Sequence, residues 1–427
     1  MTTALILSGL LVLLLIGAPI FAALGLTSIA VILISEGHVD AVADVVFAKL
    51  NNPLLTVIPM FAFMAHVMIR SKVVDHLYDA AHAMVRHIRG GLGVATVLAC
   101  TVFAAISGSS VATALTIGSS ALPQMKRYGY RDRDGYGVIA AGGTLGILIP
   151  PSAPLILYAI VTEASIGALF LAGLIPGILM AVIFALFCVA NAARRLDRTP
   201  EPWIGWAQCL TAIRQAFWAL MMPAVVLGGI YLGIFTASEA AAIGCLYALA
   251  VGAGIYRTLG PRDLWLAVYD TVRTAAALFM ILAAAALFAH AVTLIGLPAR
   301  LVETVVQLDI GAFAFVLAVM AVIFLMGMFL ETIAIILITT PIVFPVMLAL
   351  GIDPIWYGIL LMINLELALI TPPVGMNLFV IKGISGAPLA DIIAGTAPYV
   401  ALMMLGLGLV LAFPPLATWL PRAAGFG

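Results

Sequence analysis

Long apolar stretches decide what this sequence can fold into. A helix that crosses roughly 30 Å of hydrocarbon needs about 20 predominantly apolar residues. Nine stretches meet that requirement: 4–35, 53–70, 136–162, 166–193, 214–235, 238–257, 273–296, 355–382 and 388–418. Only 9% of the 427 residues are charged, whereas an ordinary globular domain carries about 25%. We therefore predict an all-α polytopic membrane protein, which excludes soluble enzymes and nucleic-acid-binding proteins.

The first stretch, 4–35, allows two interpretations. It carries Gly17, Ala18 and Pro19 at its centre, so it forms either one long kinked span or two short spans. No basic segment precedes its apolar run, and we expect a retained membrane segment rather than a cleaved signal peptide. The side of the membrane on which the N-terminus lies depends on this choice.

The basic residues are sorted between two sets of loops. One set holds sixteen of the 19 Lys and Arg residues: 70–90, 126–133, 194–214, 257–273 and Lys382. The other set holds the remaining three: Lys49, Arg300 and Arg422. Loops rich in Lys and Arg stay in the cytoplasm. The sorting predicts that the first set is cytoplasmic and that the C-terminus lies outside.

The sequence also contains an internal repeat. An offset of 222 residues aligns prolines and glycines of the two halves: Pro123 with Pro345, Gly129 with Gly351, Pro150-Pro151 with Pro372-Pro373, Gly173 with Gly395, and Pro176 with Pro398. The amphipathic segments 71–89 and 297–310, which we expect along the membrane surface, also align, but the charge sorting puts them on opposite sides. We therefore predict inverted repeats, a common plan of transporters. Inversion favours two short spans within 4–35.

Each half contains a re-entrant hairpin. The stretch 92–125 is interrupted by a Ser-Gly-Ser-Ser tip at 107–110, and its flanking basic residues place both ends inside. Arms of about 15 residues reach only ~22 Å, which is too short to cross the membrane. The partner hairpin is 311–350, with its tip at 327–332. Glu331 in that tip lies in an apolar run, where an ionisable residue is a functional candidate.

Each hairpin is followed by a span that two adjacent prolines should unwind. Prolines lack an N–H donor and restrict the preceding residue, so we expect helix breaks at Pro150-Pro151 and Pro372-Pro373. Unwound carbonyl groups and tip hydroxyls suit a hard cation. The following half-helix N-terminus favours an anion. We therefore place the transport chemistry at these two pairs of tips and breaks.

Four stretches at these positions resemble the large membrane subunit of tripartite ATP-independent periplasmic (TRAP) transporters of the DctM type: 107–110, 142–152, 331–341 and 364–380. The resemblance runs nearly end to end. It implies an elevator-type transporter, in which the hairpins and broken helices move against a scaffold. It also implies that a sodium gradient drives import. The sequence has no G-x-x-x-x-G-K-[ST] motif, which agrees with a transporter that does not use ATP.

The resemblance further implies partners, a location and a domain plan. We expect a small four-helix DctQ-type membrane subunit as a separate polypeptide, and a DctP-type periplasmic substrate-binding protein. The substrate would be an organic acid such as a C4-dicarboxylate, a sugar acid or sialic acid. We expect the bacterial inner membrane and a periplasmic C-terminus. Scaffold and transport parts should alternate along the chain: scaffold 1–90, transport 91–193, scaffold 194–310 and transport 311–427.

Our hypothesis assigns individual residues to ions and substrate. Two or more sodium ions would be held by Ser107, Ser109, Ser110, Gly143, Thr144, Pro150, Gly327, Thr332, Thr371, Gly375 and Asn377. The substrate carboxylate would contact Ser107, Gly108, Ser109, Ser152, Glu331, Asn364, Pro373 and Val374. The tips and breaks contain no Lys or Arg, so no ion-pair clamp on the substrate is visible, and sodium would balance its charge.

Three alternatives stay open at this point. A stand-alone sodium/dicarboxylate carrier of related architecture would share these features. A channel is the second, although closed hairpins suit alternating access better. An intramembrane enzyme would need a catalytic pair, but His66 and His290 are far in sequence from the Ser-rich tip, and we expect them to pack or form hydrogen bonds. The identity of the acid, the sodium stoichiometry and the oligomeric state are not determined.

Overall fold

The computed structural model describes residues 8–10, 12–14, 16–71, 73–194 and 202–426, and these ranges contain helices and no strand. The helices of the first half are α1 Ile20–Glu36, α2 Ala41–Leu50, α3 Val57–Arg70, α4 Val73–Val85, α5 Gly91–Ser107, α6 Ser110–Arg127, α7 Asp132–Leu148, α8 Ala153–Thr162 and α9 Ile166–Ala193. Those of the second half are α10 Trp206–Tyr231, α11 Ala237–Leu249, α12 Pro261–Leu294, α13 Leu297–Gln307, α14 Ala312–Gly327, α15 Thr332–Ala349, α16 Pro354–Leu369, α17 Met376–Ser385, α18 Leu389–Ala412 and α19 Pro415–Ala423. Among the described residues, eight helical stretches have the length and apolar composition of a membrane span.

The first apolar stretch contains a helix break. Residues 8–10 and 12–14 are helical, the chain turns at Gly17 with φ +88°, and α1 begins after Pro19. Residues 4–7, 11 and 15 of this stretch lie outside the described residues. The described part therefore matches the interpretation with two helical elements, while the side of the N-terminus stays a prediction.

Three predicted boundaries are wrong. The loops 194–214 and 257–273 are shorter, because α10 begins at Trp206 and α12 at Pro261. Pro261 suits a first helical turn, and the Asp263 carboxylate accepts the Gly260 N–H at 3.2 Å, so α12 begins well before its apolar core. The span predicted at 388–418 ends at Ala412, and α19 starts after Pro414 as a separate helix.

The internal repeat is confirmed by the helix boundaries. At the offset of 222 residues, α6 superimposes on α15 end for end, and α7, α8 and α9 match α16, α17 and α18 within a few residues. Gly129 and Gly351 both have positive φ, at +71° and +67°, and both Pro-Pro bonds are cis. Five candidate spans precede α12 from Pro53 onward. With a hairpin that returns to its own side, this odd number makes α3 and α12 run in opposite directions.

The hairpins and broken helices of the two halves pack together. The second arm of the first hairpin, α6, lies against α17, while α15 of the second hairpin lies against α8. Helix α7 also packs along α18 and α16. Each hairpin thus contacts the broken helix of the opposite half, so the two halves build one intertwined helix cluster.

A second group of helices lies beside this cluster. Helix α12 packs along α1, α2 and α3, and α11 packs on α3. The halves differ here, because α2, a 3₁₀ turn at Pro53–Thr56 and α3 correspond to one continuous helix, Pro261–Leu294. Asn52 ends the alignment of α2 with α3 by accepting the Leu54 N–H at 2.9 Å. The ion pair between Arg70 and Asp270 joins α3 to α12.

Candidate functional site

A cavity of about 600 Å³ lies between the two groups of helices. The hairpin tips and helix breaks form one side, and α3 and α12 form the other. Its polar lining comes from His66, Ser107, Ser109, Ser110, Asp270, Arg273, Thr274, Glu331 and Thr332. The cavity therefore brings together both tips that the sequence pattern selected, although they are more than 200 residues apart.

The first tip is a tight turn between two helices. Helix α5 ends at Ser107, and Gly108 has φ +59°, a left-handed conformation that glycine adopts without strain. The Ser109 hydroxyl accepts the Ala112 N–H at 3.4 Å and so caps α6. The hydroxyl oxygens of Ser107 and Thr113 are 2.8 Å apart. The tip therefore concentrates hydroxyl groups at the point where the backbone turns.

This tip packs directly against the first broken helix. A Cβ atom on Gly146 would lie 2.5 Å from the Ser109 carbonyl oxygen, and one on Gly143 would lie 2.8 Å from the Ala114 Cβ. A side chain on Gly108 would collide with the Pro151 carbonyl. The predicted pairing of the first tip with the first break is thus a backbone contact that only glycines permit.

The first break is fully enclosed. Helix α7 ends at Leu148, and α8 begins at Ala153 after the cap residue Ser152, whose hydroxyl accepts the Leu155 N–H at 3.4 Å. Residues 149–152 are all buried. Their backbone groups are therefore shielded, and oxygens there offer a dry environment for an ion.

The second tip has a different chemistry. Helix α14 ends at Gly327, and Glu331 precedes the first residue of α15, Thr332. Both Glu331 and Thr332 line the cavity. A Cβ atom on Gly327 would lie 2.6 Å from the Ala368 Cβ, so this tip approaches α16 through a glycine of the hairpin.

The second break is open where the first is closed. Pro372 and Pro373 are exposed, and Gly375 has φ +51° with the carbonyl oxygens of Leu369 and Thr371 close to its Cα. One turn further on, Asn377 is completely buried, and neither its Oδ1 nor its Nδ2 has a hydrogen-bond partner among the described residues. Buried amides are normally paired. An oxygen-seeking cation would satisfy the Oδ1 of Asn377.

One buried acid was missed in the sequence. Glu366 on α16 is 1% exposed, and its Oε1 accepts a hydrogen bond from the Ser110 hydroxyl of the first tip. This bond joins the hairpin of one half to the broken helix of the other. The signal was present, because an ionisable residue in the middle of an apolar span is a functional candidate, as Glu331 was.

The wall formed by α3 and α12 was also missed. His66 lines the cavity on α3, which corrects its assignment to packing, and Arg273 lines it on α12. The expectation that no basic side chain faces the substrate holds for the tips and breaks but not for the whole cavity. Arg273 was counted among loop residues, and only the early start of α12 reveals its position.

The structure separates the predicted site residues into two groups. Those lining the cavity are Ser107, Gly108, Ser109, Ser110, Glu331 and Thr332. Those away from its lining are Gly143, Thr144, Pro150, Ser152, Gly327, Asn364, Thr371, Pro373, Val374, Gly375 and Asn377. Asn364 donates from Nδ2 to the Met320 carbonyl at 2.8 Å. The Thr144 hydroxyl donates to the Ala141 carbonyl at 2.6 Å.

A repeated helical membrane fold with two hairpin tips at an internal cavity defines a membrane transport protein rather than an enzyme. Comparison with known families agrees. The family described as "Tripartite ATP-independent periplasmic transporter, DctM component" matches residues 7–416. The chain belongs to this family.

Curated relatives cover the chain almost completely. The C4-dicarboxylate TRAP transporter large permease protein DctM of Pseudomonas aeruginosa is 39% identical over 404 residues, which are 94% of each chain. The ectoine TRAP transporter large permease protein TeaC of Halomonas elongata is 34% identical and covers 96% of both chains. The sialic acid TRAP transporter large permease protein SiaM of Vibrio cholerae is 31% identical, again over 96% of both.

A solved structure shares the fold at low sequence identity. The YdaH transporter of Alcanivorax borkumensis matches with a TM-score of 0.59 over 91% of this chain and 89% of its own, at 14% identity. This similarity supports the architecture of hairpins and broken helices.

Proposed function

We propose that this protein is the large membrane subunit of a sodium-driven, binding-protein-dependent importer of organic acids. The helix cluster of hairpins and broken helices would carry the substrate and move against the helices α1–α3 and α10–α12. The observation that carries this proposal is the cavity itself, because both tips and both groups of helices meet there. The compounds named for the relatives, C4-dicarboxylates, ectoine and sialic acid, all carry a carboxylate.

The cavity supports a particular state of the carrier. Its lining reaches Ile69 near the end of α3 and Asp270 in the first third of α12. Both positions are close to the loops that the charge sorting assigns to the cytoplasm. We infer that the cavity opens inward, and that the substrate leaves through it after the first tip has moved.

Two groups of oxygen atoms would hold the sodium ions. The first comprises the tip hydroxyls Ser107, Ser109 and Ser110 with Gly143, Thr144 and Pro150 of the broken helix. The second comprises Gly327, Thr332, Thr371, Gly375 and Asn377. The unpartnered amide of Asn377 supports the second group, and hydroxyl and carbonyl oxygens suit a hard monovalent cation. The substrate carboxylate would lie between Ser107–Ser109 and Glu331, which share the cavity. Ser152, Asn364, Pro373 and Val374 lie off its lining, and a role for them would need movement of the tips.

The family description implies two further components. We propose a small DctQ-type membrane subunit and a DctP-type periplasmic binding protein. A relative named as a fused permease protein DctMQ supports this, because the present chain covers 62% of its length. Binding of the soluble protein requires an inner membrane location, and the charge sorting puts the C-terminus in the periplasm.

Uptake by reconstituted complex tests the function. Proteoliposomes containing this chain, its small subunit and its binding protein would be given radiolabelled C4-dicarboxylate, sialic acid, ectoine, a sugar acid and a keto acid. We expect uptake of one class that requires an inward sodium gradient and is unchanged by ATP. Equal uptake when potassium replaces sodium would refute sodium coupling. Uptake by this chain alone would favour the stand-alone carrier.

Two hydroxyl variants test the ion sites. Ser109→Ala and Thr371→Ala should each raise the sodium concentration needed for half-maximal uptake by about tenfold, because each loses a ligand oxygen. Ser119→Ala is the matched control, since its exposed hydroxyl on α6 binds only the Leu115 carbonyl of the previous turn. Wild-type sodium dependence in both variants would exclude these residues from the ion sites.

A further inference from the structure

The cavity wall on the side of α3 and α12 carries its own charged groups. Asp270 and Arg273 lie one helical turn apart on α12, and both line the cavity. The Arg70 guanidinium of α3 already forms an ion pair with the Asp270 carboxylate. Asp270 is therefore neutralised across the two helices and does not compensate the charge of Arg273.

Arg273 is the basic group of this cavity that has no partner. Within the described part of the chain, no hydrogen bond or ion pair involves its guanidinium. The other acid lining the cavity, Glu331, belongs to the second tip and makes no ion pair with it. Arg273 thus presents a permanent positive charge to the interior space.

The position of Arg273 along α12 makes this unusual. It lies 12 residues after the helix start at Pro261, which is about 18 Å along the axis. Arginine at such a depth normally pairs, faces water or extends towards lipid phosphates. Its planar fork matches a carboxylate through two parallel hydrogen bonds.

We propose that Arg273 binds the substrate carboxylate from the scaffold side of the cavity. This inference rests on the proposed function and adds the group that balances the anion once sodium has left. The hairpin hydroxyls hold the acid while the transport helices move, and Arg273 holds it only where the cavity is open. Because α12 does not travel with the tips, the ion pair forms in one state of the cycle.

This arrangement has a measurable consequence. A binding group on a moving hairpin would contribute to affinity on both sides of the membrane. A binding group on α12 contributes only on the side to which the cavity opens. Loss of Arg273 should therefore weaken the affinity for internal substrate and leave the affinity for externally delivered substrate nearly unchanged.

The experiment uses the reconstituted complex with Arg273→Gln, Arg273→Lys and a matched control, Arg262→Gln. Arg262 lies on the same helix, is exposed and does not line the cavity. Internal substrate is titrated for its inhibition of uptake, and external substrate is titrated in parallel. We expect a roughly 10- to 100-fold higher inhibitory concentration inside for Arg273→Gln, from the loss of a charged hydrogen-bonded pair. Arg273→Lys should lose less, and Arg262→Gln should match wild type.

Three results would overturn the inference. Unchanged internal inhibition in a well-folded Arg273→Gln complex would remove the anion-binding role. Equal losses on both sides would place the group on the moving part. A loss that disappears when anionic lipids are replaced by neutral ones would assign Arg273 to lipid phosphate. Failure of the wild-type complex to take up any acid would instead refute the proposed function.

Discussion

The two hairpin sites share one plan but differ in how they are closed. The first tip touches its broken helix through backbone, and the break behind it, 149–152, is buried. The second break exposes Pro372 and Pro373 while leaving the Asn377 amide buried without a partner. The first site is thus packed and internally paired, whereas the second has polar groups that its own residues do not satisfy.

The glycines that allow these contacts have changed places between the halves. Gly146 of α7 corresponds to Ala368 of α16, and Ala105 of the first hairpin corresponds to Gly327 of the second. In the first half the broken helix supplies the glycine, and the contact is with backbone. In the second half the hairpin supplies it, and the contact is with a methyl group. Repetition therefore preserves close approach without preserving which helix permits it.

The largest effect is expected at Gly146. Gly146→Ala would place a methyl carbon 2.5 Å from the Ser109 carbonyl oxygen and 2.7 Å from the Ser110 nitrogen. Backbone at a tip cannot move aside, so we expect uptake to be abolished. Sodium-dependent uptake measures this. Gly228→Ala on α10 is the control, since nothing lies within 4 Å of its Cβ position. Normal uptake by Gly146→Ala would show that the first tip is loose.

The second site should respond differently to the same change. Gly327→Ala brings its new methyl to 2.6 Å from the Ala368 Cβ, and we expect uptake to fall about tenfold, the overpacking costing about 1–3 kcal/mol. Because the obstacle is a side chain, Ala368→Gly in the same protein should restore most of the uptake. No recovery in the double variant would contradict a methyl contact as the cause.

An intermediate effect is expected where the two sites are joined. Ser110→Ala leaves the buried Glu366 carboxyl without its donor, which should cost about 1–3 kcal/mol of stability. The Ser110→Ala, Glu366→Gln double-mutant cycle, measured by thermal unfolding, should show coupling between the halves. Additive effects would mean that the hydrogen bond does not connect them. Ser119→Ala again provides the control on α6.

The smallest effect is expected at Asn377, and it has an unusual sign. Asn377→Leu removes an unpaired buried amide, so without sodium the variant should melt no lower than wild type. Its stabilisation by sodium should disappear, because a ligand oxygen is lost. Asn364→Leu is the matched control, since it loses the bond to Met320 and should cost about 1 kcal/mol with or without sodium.

Equal stabilisation of wild type and Asn377→Leu by sodium would exclude Asn377 as a ligand. It would also remove the main difference between the two sites, because the unmet amide would then have no ionic function. A lower melting temperature of Asn377→Leu without sodium would show that the amide has a partner in the intact complex.

Much of the fold could be predicted because its signals are local. Apolar length, the Pro-Pro pairs and the Ser-Gly-Ser-Ser tip at 107–110 each act on the few residues around them, and the structure confirms the hairpins and breaks. Helix starts were less predictable. Helix α12 extends past its apolar core to Pro261, because a cap and a proline determine its start.

The sequence by itself determined the membrane class, the repeat and the places where helices turn or break, because hydrophobic length and backbone-restricting residues act along the chain. Only the tertiary structure decided which groups meet. Ser110 reaches Glu366 across 256 residues, and Arg273 faces the cavity only because α12 packs where it does. Such contacts depend on which helices become neighbours. A local pattern contains no information about them, and so the chemistry of the site had to be read from the folded chain.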